Sequence, residues 1–254
     1  MNQEKKKKDS EFDIIIPVHN EAENILPILE SLETHVKTPF RVFICYDHDD
    51  DNTLPVIRNN NNRYSFQIVE VKNRGKGPHG AVITGFERSN APAAIVFPSD
   101  DTFNAPIIDH MYEKFKEGND IVGAGRFIEG GCMKGCPWVK ALLVRTASFT
   151  LHHIAKIPIR DSTSGFKLFS RKVLERIFIE STEGFTYSLE LVVKCHRLRW
   201  KIDEVPAQWY ERTKGKSRFR VFKWLLPYIR WYIFGFMTTF FKMSPETVRL
   251  KSND

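Results

Sequence analysis

The sequence predicts an α/β fold: a mostly parallel sheet flanked by helices. Three observations predict it. Short β-rich runs alternate with helical patterns through the first half of the chain, and alternation at this spacing marks βαβ units. The β-rich runs are apolar, as strands buried on both faces are. Polar and charged residues follow directly after the runs, at the strand ends where parallel sheets bind ligands.

The elements follow in chain order. Residues 12–18 form the first apolar run. Asn20 and Glu23 then resemble a capping box with Asn in the place of Ser or Thr, and Ile25, Leu26, Ile28, Leu29 and Leu32 supply one helix face. Residues 41–46 read as the second strand, 59–62 as a polar loop and 66–71 as the third strand. Gly75 to Pro78 breaks the chain before a helix over 79–88. A fourth strand over 93–97, a helix over 106–116 and a fifth strand over 120–124 complete the first half. The second half is less regular, with helical patterns over 137–155, 171–177 and 188–198 and a strand over 202–206. There is no internal repeat and no linker beyond residue 10. The expectation is therefore a flexible lysine-rich tail over 1–10, one domain over 11–217 and a helical C-terminal extension over 218–254.

The chain has 254 residues, 42% of them hydrophobic and 27% charged, a globular composition able to bury a sizeable core. Thirty-eight Lys and Arg against 31 Asp and Glu give a net charge of +7, which favours anionic partners. Cys45, Cys132, Cys136 and Cys195 are too scattered for a disulfide framework, and no second Cys/His pair completes a zinc site near Cys132 and Cys136. Reduced thiols, the lysines at 5–8 with no apolar run behind them and the lack of any Asn-x-Ser/Thr site lead to an expected cytoplasmic location. The most apolar stretch, residues 224–241, is interrupted by Pro227 and Arg230. Its uncharged part falls well short of the ~20 residues that span a bilayer.

Each of the first four strands is followed by a polar cluster. Pro17-Val18-His19-Asn20-Glu21 follows the first and Asp47-His48-Asp49-Asp50-Asp51 the second. Asn73-Arg74-Gly75-Lys76-Gly77 follows the third and Pro98-Ser99-Asp100-Asp101 the fourth. Carboxylates beside a Gly/Lys/Arg loop suit a nucleoside diphosphate with a divalent cation, since hard cations take carboxylate oxygens and Lys or Arg neutralise phosphate.

These clusters resemble the motifs of the family-2 glycosyltransferases, and within them the dolichyl-phosphate mannose synthase-like branch. The resemblance runs from Phe12 to Ser217 through Ile16-Pro17-Val18-His19-Asn20-Glu21-Ala22-Glu23-Asn24, Asn73-Arg74-Gly75-Lys76-Gly77 and Phe97-Pro98-Ser99-Asp100-Asp101. It continues in Arg160-Asp161-Ser162-Thr163-Ser164-Gly165-Phe166-Lys167 and Arg212-Thr213-Lys214-Gly215-Lys216-Ser217. It implies a GT-A fold that binds a nucleotide-sugar donor through Pro17, His19, Glu21, Asp47, Arg74 and Lys76. The metal motif, usually Asp-x-Asp, falls at Pro98-Ser99-Asp100, so Asp100 is the aligned ligand for a divalent metal, Mg or Mn. Asp101 stands beside it, and Asp161 falls where the family places an acid on the acceptor side. Two departures stand out. Pro98 replaces the first Asp of the metal motif, and Tyr46 the first Asp of the pair after the second strand, so only Asp47 carries over.

Sugar transfer to an alcohol needs a general base, whereas a phosphate monoester is already ionised and needs cations instead. Arg212, Lys214, Lys216, Arg218, Arg220 and Lys223 supply cations, and Gly215 and Ser217 give the segment a flap-like punctuation. Trp224, Leu225, Leu226, Tyr228, Trp231, Tyr232, Phe234 and Phe236 follow, which is the pattern either of an interfacial segment or of a buried C-terminal helix. The expected function is an inverting hexosyltransfer from a nucleotide-sugar to a lipid phosphate acceptor of the polyprenyl type. Arg212, Lys214 and Ser217 would bind the acceptor phosphate, and the protein would act peripherally at the cytoplasmic membrane face. The alternative is a family-2 transferase acting on a sugar hydroxyl, with Asp161 or Asp101 as base. Glu190, on a predicted helix amid Leu189, Leu191 and Val192, reads equally as a site acid or as half of a structural ion pair. A nucleotidyltransferase would need a Gly-rich, Arg-containing loop after the first strand, which this chain lacks. A nucleic-acid module would interleave aromatics with basic residues on an exposed sheet, and these strands are apolar, so nucleic acid is not an expected partner.

Overall fold

The computed structural model describes residues 10–211 and 221–252. Residues 1–9 of the expected tail lie outside them, as do the acceptor candidates Arg212, Lys214 and Ser217. The chain divides into two compact units, residues 1–109 and 110–254.

In the first unit, β1 (Phe12–Pro17), β2 (Phe40–Tyr46), β3 (Gln67–Lys72) and β4 (Ala93–Val96) pair in the order β3-β2-β1-β4, all parallel. Ile14, Ile15, Ile16, Val42, Ile44 and Ile95 are completely buried, as strands covered on both faces require. One charge interrupts that apolar run. Asp13 is buried, but it accepts two 2.8 Å bonds from Arg41 and a 2.7 Å bond from the Ser89 hydroxyl, so no charge is left unpaired. The connections are α1 (Ile25–His35), α2 (Thr53–Asn60) and α3 (Gly77–Arg88). Because β1 lies between β2 and β4, chain direction across the sheet reverses there, and in open α/β sheets ligands bind at such a switch point.

Two expectations fail in this unit. The residues read as a capping box at Asn20 and Glu23 do not cap a helix. Asn20 takes a left-handed backbone (φ 57), its N–H donates to Asp51, and α1 starts only at Ile25. The segment before the expected polar loop is a helix, α2, with Leu54 and Ile57 buried. Pro55 sits in its first turn, where the missing N–H costs little. The polar run at 59–62 is divided between the end of α2 and a 3₁₀ turn at Asn61–Arg63.

After α4 (Ile108–Lys116), the second unit contains β5 (Ile121–Gly125), β6 (Cys132–Lys134), α5 (Trp138–His153), β7 (Lys167–Ser170) and α6 (Arg171–Arg176). It ends with α7 (Thr186–Arg197), β8 (Ile202–Pro206), β9 (Gln208–Tyr210) and α8 (Val221–Phe240). β8 runs parallel to β5 and β7 antiparallel to it, while β6 and β9 form a separate parallel pair. β6, β7 and β9 have no counterpart among the expected elements. They are three or four residues long, too short to show a period.

The helical extension expected after residue 218 is α8, anchored by Trp231, whose buried indole donates to Ser181 Oγ at 2.8 Å. Tyr232 Oη and Thr150 Oγ1 share a 2.8 Å hydrogen bond that ties α8 to α5. Gly235 permits the close approach: a Cβ there would meet Leu151 at 3.2 Å, Val193 at 3.3 Å and Ile157 at 3.4 Å. Glu190 proves structural. It is buried, pairs with Lys194 at 2.6 Å and accepts the Glu180 and Ser181 N–H groups. Among the described residues no helix is long and apolar enough to cross a membrane.

Candidate functional site

Parallel pairing sets the C-terminal ends of β1 to β4 along one edge, so the four polar clusters after them share it. They support one another through backbone groups. The Asn20 N–H donates to both Asp51 oxygens at 3.1 and 3.0 Å, the Glu21 N–H to Thr53 Oγ1 at 2.9 Å and the Ala22 N–H to Asn52 Oδ1 at 3.2 Å. The loop after β2 thus holds the loop after β1, with Asp51 buried as its clamp.

Asp47 does the same for the Gly-rich loop. Its oxygens accept from Asn73 Nδ2 at 2.5 Å and from the Gly77 N–H at 3.0 Å, and Asn73 Oδ1 in turn accepts the Gly75 N–H at 2.7 Å. The turn is tight enough that a Cβ on Gly80 would lie 2.8 Å from Asn73 Oδ1 and 3.0 Å from the Gly75 Cα. Arg74 and Lys76 stand exposed on this loop, Arg74 with an ion pair to Glu87 at 3.3 Å. Pro17 and Glu21 are half-buried and His19 is exposed at the same edge. Asp47 thus meets the Arg74–Lys76 loop through Asn73 and the Gly77 N–H.

After β4, Asp100 is exposed and Asp101 half-buried. Asp101 closes a turn: it accepts from the Phe103 N–H at 2.9 Å, the Asn104 N–H at 3.0 Å and Asn104 Nδ2 at 2.6 Å. Burial raises its carboxyl, and those bonds pull it back in part. Through these bonds Asp101 shapes the loop that carries Asp100. Among the described residues, no three His, Cys, Asp or Glu side chains converge as a metal cluster.

In the second unit Asp161 is completely buried. Arg126 grips it at 2.6 Å through Nε and 2.9 Å through Nη2, while the Arg126 N–H, the Thr163 hydroxyl and the Ser164 N–H also donate to it. Burial alone would raise this carboxyl, but the Arg126 guanidinium overrides it and holds the group below the usual carboxylate range. A carboxylate already saturated with donors and held ionised serves as an anchor for a cation. Arg126 is what it anchors. Thr163 Oγ1 accepts from Nη2 at 2.9 Å. Nη1 reaches only the Met133 sulfur at 3.9 Å, so it has no oxygen acceptor among the described residues. The turn that carries Asp161 rests on Lys167, a buried amine that donates to the Ser162 and Ser164 carbonyls and to Ser188 Oγ. Burial pushes that amine down to about 7.

Around Arg126 stand further cations. Arg126 and Arg145 lie 5.2 and 5.3 Å from the Phe127 ring centre, and Lys140 lies 5.0 Å from that of Trp209. Arg126 and Arg145 escaped the sequence reading, although the strand-end rule applied to the first four strands would have reached Arg126, one residue beyond β5.

A family model, Glycosyl transferase family 2, matches residues 13–178. The chain belongs to glycosyl transferase family 2. Dolichol-phosphate mannosyltransferase of Pyrococcus furiosus is 25% identical over 221 residues, which cover 85% of this chain and 61% of that relative's length. Polyprenol monophosphomannose synthase of Mycolicibacterium smegmatis is 23% identical over 211 residues, 81% of this chain and 79% of that protein. Among solved structures, glucosyl-3-phosphoglycerate synthase of Mycobacterium tuberculosis with Mn2+, uridine diphosphate and phosphoglyceric acid superposes with a TM-score of 0.63 at 15% identity, covering 93% of this chain and 80% of that one. The family-2 chain therefore has the GT-A fold its motifs imply.

Proposed function

We propose that this family-2 member is an inverting transferase that moves a sugar from a nucleotide-sugar to a polyprenyl, dolichyl-type phosphate at the cytoplasmic face of a membrane. The observation that carries the acceptor class is Arg126. Its guanidinium is fixed by a buried carboxylate, and Nη1 is left for an incoming anion. Asp101 and Asp161, the acids proposed as base for a hydroxyl acceptor, are both committed to other groups. A phosphate monoester asks for no base, because its oxygen attacks already ionised.

In this reading Pro17, His19, Glu21 and Asp47 line the nucleoside, and Arg74 and Lys76 neutralise the diphosphate. An acceptor phosphate oxygen forms the bond to the anomeric carbon as the bond to the diphosphate breaks on the opposite face, so configuration inverts and nucleoside diphosphate leaves. Arg126 and Arg145 hold the acceptor phosphate, and Arg212, Lys214 and Ser217 add to them from the segment their sequence position gives. The donor set suits a divalent cation held mainly by substrate phosphates: Asp100 supplies one exposed carboxylate where Pro98 has removed a second. Asp100 would hold it, and when bound it supplies positive charge to the departing diphosphate.

The test offers guanosine and uridine diphosphate sugars to the protein with a short polyprenyl phosphate, the matching polyprenol or a free sugar, each with and without EDTA. Transfer to the phosphate alone is the expected result. Transfer to the free sugar and not to the phosphate would replace this reading with the hydroxyl-acceptor transferase.

A further inference from the structure

The Phe127 ring is shared by two guanidiniums that differ in how they are held. Arg126, 5.2 Å from the ring centre, is locked by Asp161 and Thr163. Arg145, 5.3 Å from the same centre, projects from α5, and among the described residues it has no carboxylate partner. Two like charges brought to one place repel, and each also favours water. A ring face offsets both tendencies, since its quadrupole attracts the cation and a guanidinium is weakly enough hydrated to stack. Phe127 follows Arg126 directly in the chain at the end of β5, so the backbone that aims one guanidinium also aims the ring that receives the other. The Cys136 thiol reports the same gathering of charge: burial raises it, while Lys140, Arg126 and Arg145 act in the opposite sense.

We propose that Phe127 is a positioning residue for the acceptor, its ring holding the Arg126 and Arg145 guanidiniums as a pair for one phosphate group. This rests on the lipid-phosphate reading above. It assigns to an uncharged side chain a part in choosing an anionic acceptor, and it gives a reason for a half-buried aromatic within 5.3 Å of two guanidiniums. The effect is assigned to acceptor binding, because the two guanidiniums it positions are those proposed to hold the acceptor phosphate.

The experiment compares wild type, Phe127→Leu and Phe127→Tyr with a short polyprenyl phosphate and whichever nucleotide-sugar wild type uses. Leu keeps apolar volume and removes the ring face, whereas Tyr keeps the face. Loss of two partly exposed cation–π contacts corresponds to about a tenfold change. The expected result is a rise of that size in acceptor KM for Phe127→Leu, with donor KM unchanged, and an acceptor KM within about twofold of wild type for Phe127→Tyr. An unchanged acceptor KM in Phe127→Leu, an equal rise in both KM values, or a Tyr variant as impaired as Leu would each overturn it. If Phe127→Leu does not fold, Phe127→Met is read in its place by the same criteria. Failure of wild type itself to use the phosphate would sink the acceptor reading. Wild-type use with an unaffected Leu variant would sink only the role of Phe127.

Discussion

At Asp161 the carboxylate gives its lone pairs to Arg126, Thr163 and the Ser164 N–H, so what it does for the site it does through Arg126. Removing one partner of a buried pair leaves the other charge uncompensated, at a cost of ~3–5 kcal/mol. Asp161→Ala is therefore expected to lower unfolding free energy by that order in chemical denaturation, and a loss below about 1 kcal/mol would mean Arg126 finds another anion. Because the folded carboxyl is held below its ordinary value, its stabilisation is present above that value and is lost as pH falls through the folded one. The wild-type protein should accordingly lose more stability on acidification than Asp161→Asn, measured as midpoint against pH. Asp100 is the contrasting case. It is exposed, so Asp100→Ala should leave the thermal midpoint in place yet cut transfer more than about tenfold, a barrier change of ~1.4 kcal/mol. A variant above a tenth of wild-type rate would remove Asp100 from the reaction. Asp100 and Asp47 were legible because strand ends in a parallel sheet are where polar residues carry information. The contrast between exposed Asp100 and buried, Arg126-bound Asp161 was not, since burial and partners are not properties of the motif.

Elements were legible where an apolar run or a clear period marks them. The strands β1 to β5 and the helices α3, α5 and α7 follow their apolar patterns to within two residues at most ends, because burial on known faces imposes the period. α2 was missed because only the asparagine run at 59–62 was read there, as a loop, yet Leu54 and Ile57 are buried and Pro55 stands in the first turn. The apparent capping box failed because Asp51, thirty-one residues away, takes the Asn20 N–H that a helix start would have used. No local pattern reveals a competitor so distant. Packing between helices was equally hidden until Gly235 was seen facing Leu151, Val193 and Ile157. Gly235→Val places two further methyl groups in that contact, and overpacking of this kind costs ~1–3 kcal/mol. The expected outcome is a lower thermal midpoint with nucleotide affinity unchanged in calorimetry. An unaltered midpoint would show that α8 yields without cost and is not firmly seated on α5.

At the scale of the whole molecule, charge and exposed apolar surface gather on the same stretches of chain. The net charge is +7, and no Asp or Glu occurs between Glu129 and Asp161, where Lys134, Lys140, Arg145, Lys156 and Arg160 stand. The helix in that stretch, α5, exposes Trp138 (77%), Leu142 (58%) and Phe149 (60%). On α8, Leu226, Ile233 and Phe240 are exposed at intervals of seven residues, which is one stripe along a helix. The sequence pointed to α8 through its crowded aromatics but passed over α5, whose exposed apolar groups are spaced among ordinary helical residues and need burial to be told from a core face. Apolar groups beside cations suit the headgroup region of an anionic bilayer, and neither helix is long and apolar enough to cross one. The protein is therefore expected to sediment with vesicles containing phosphatidylglycerol at low salt and to dissociate as salt shortens the Debye length from ~10 Å at 0.1 M toward ~3 Å at 1 M. Trp138→Ser with Leu142→Ser removes two large side chains, each worth ~1.5–3 kcal/mol when buried, so the pair should weaken vesicle binding more than tenfold at fixed salt. Transfer to a water-soluble short-chain phosphate should stay the same, since neither residue touches the groups assigned to donor or acceptor phosphate. Binding that ignores salt, or a double variant that partitions like wild type, would detach α5 from the membrane and leave the lipid acceptor to be met by α8 alone.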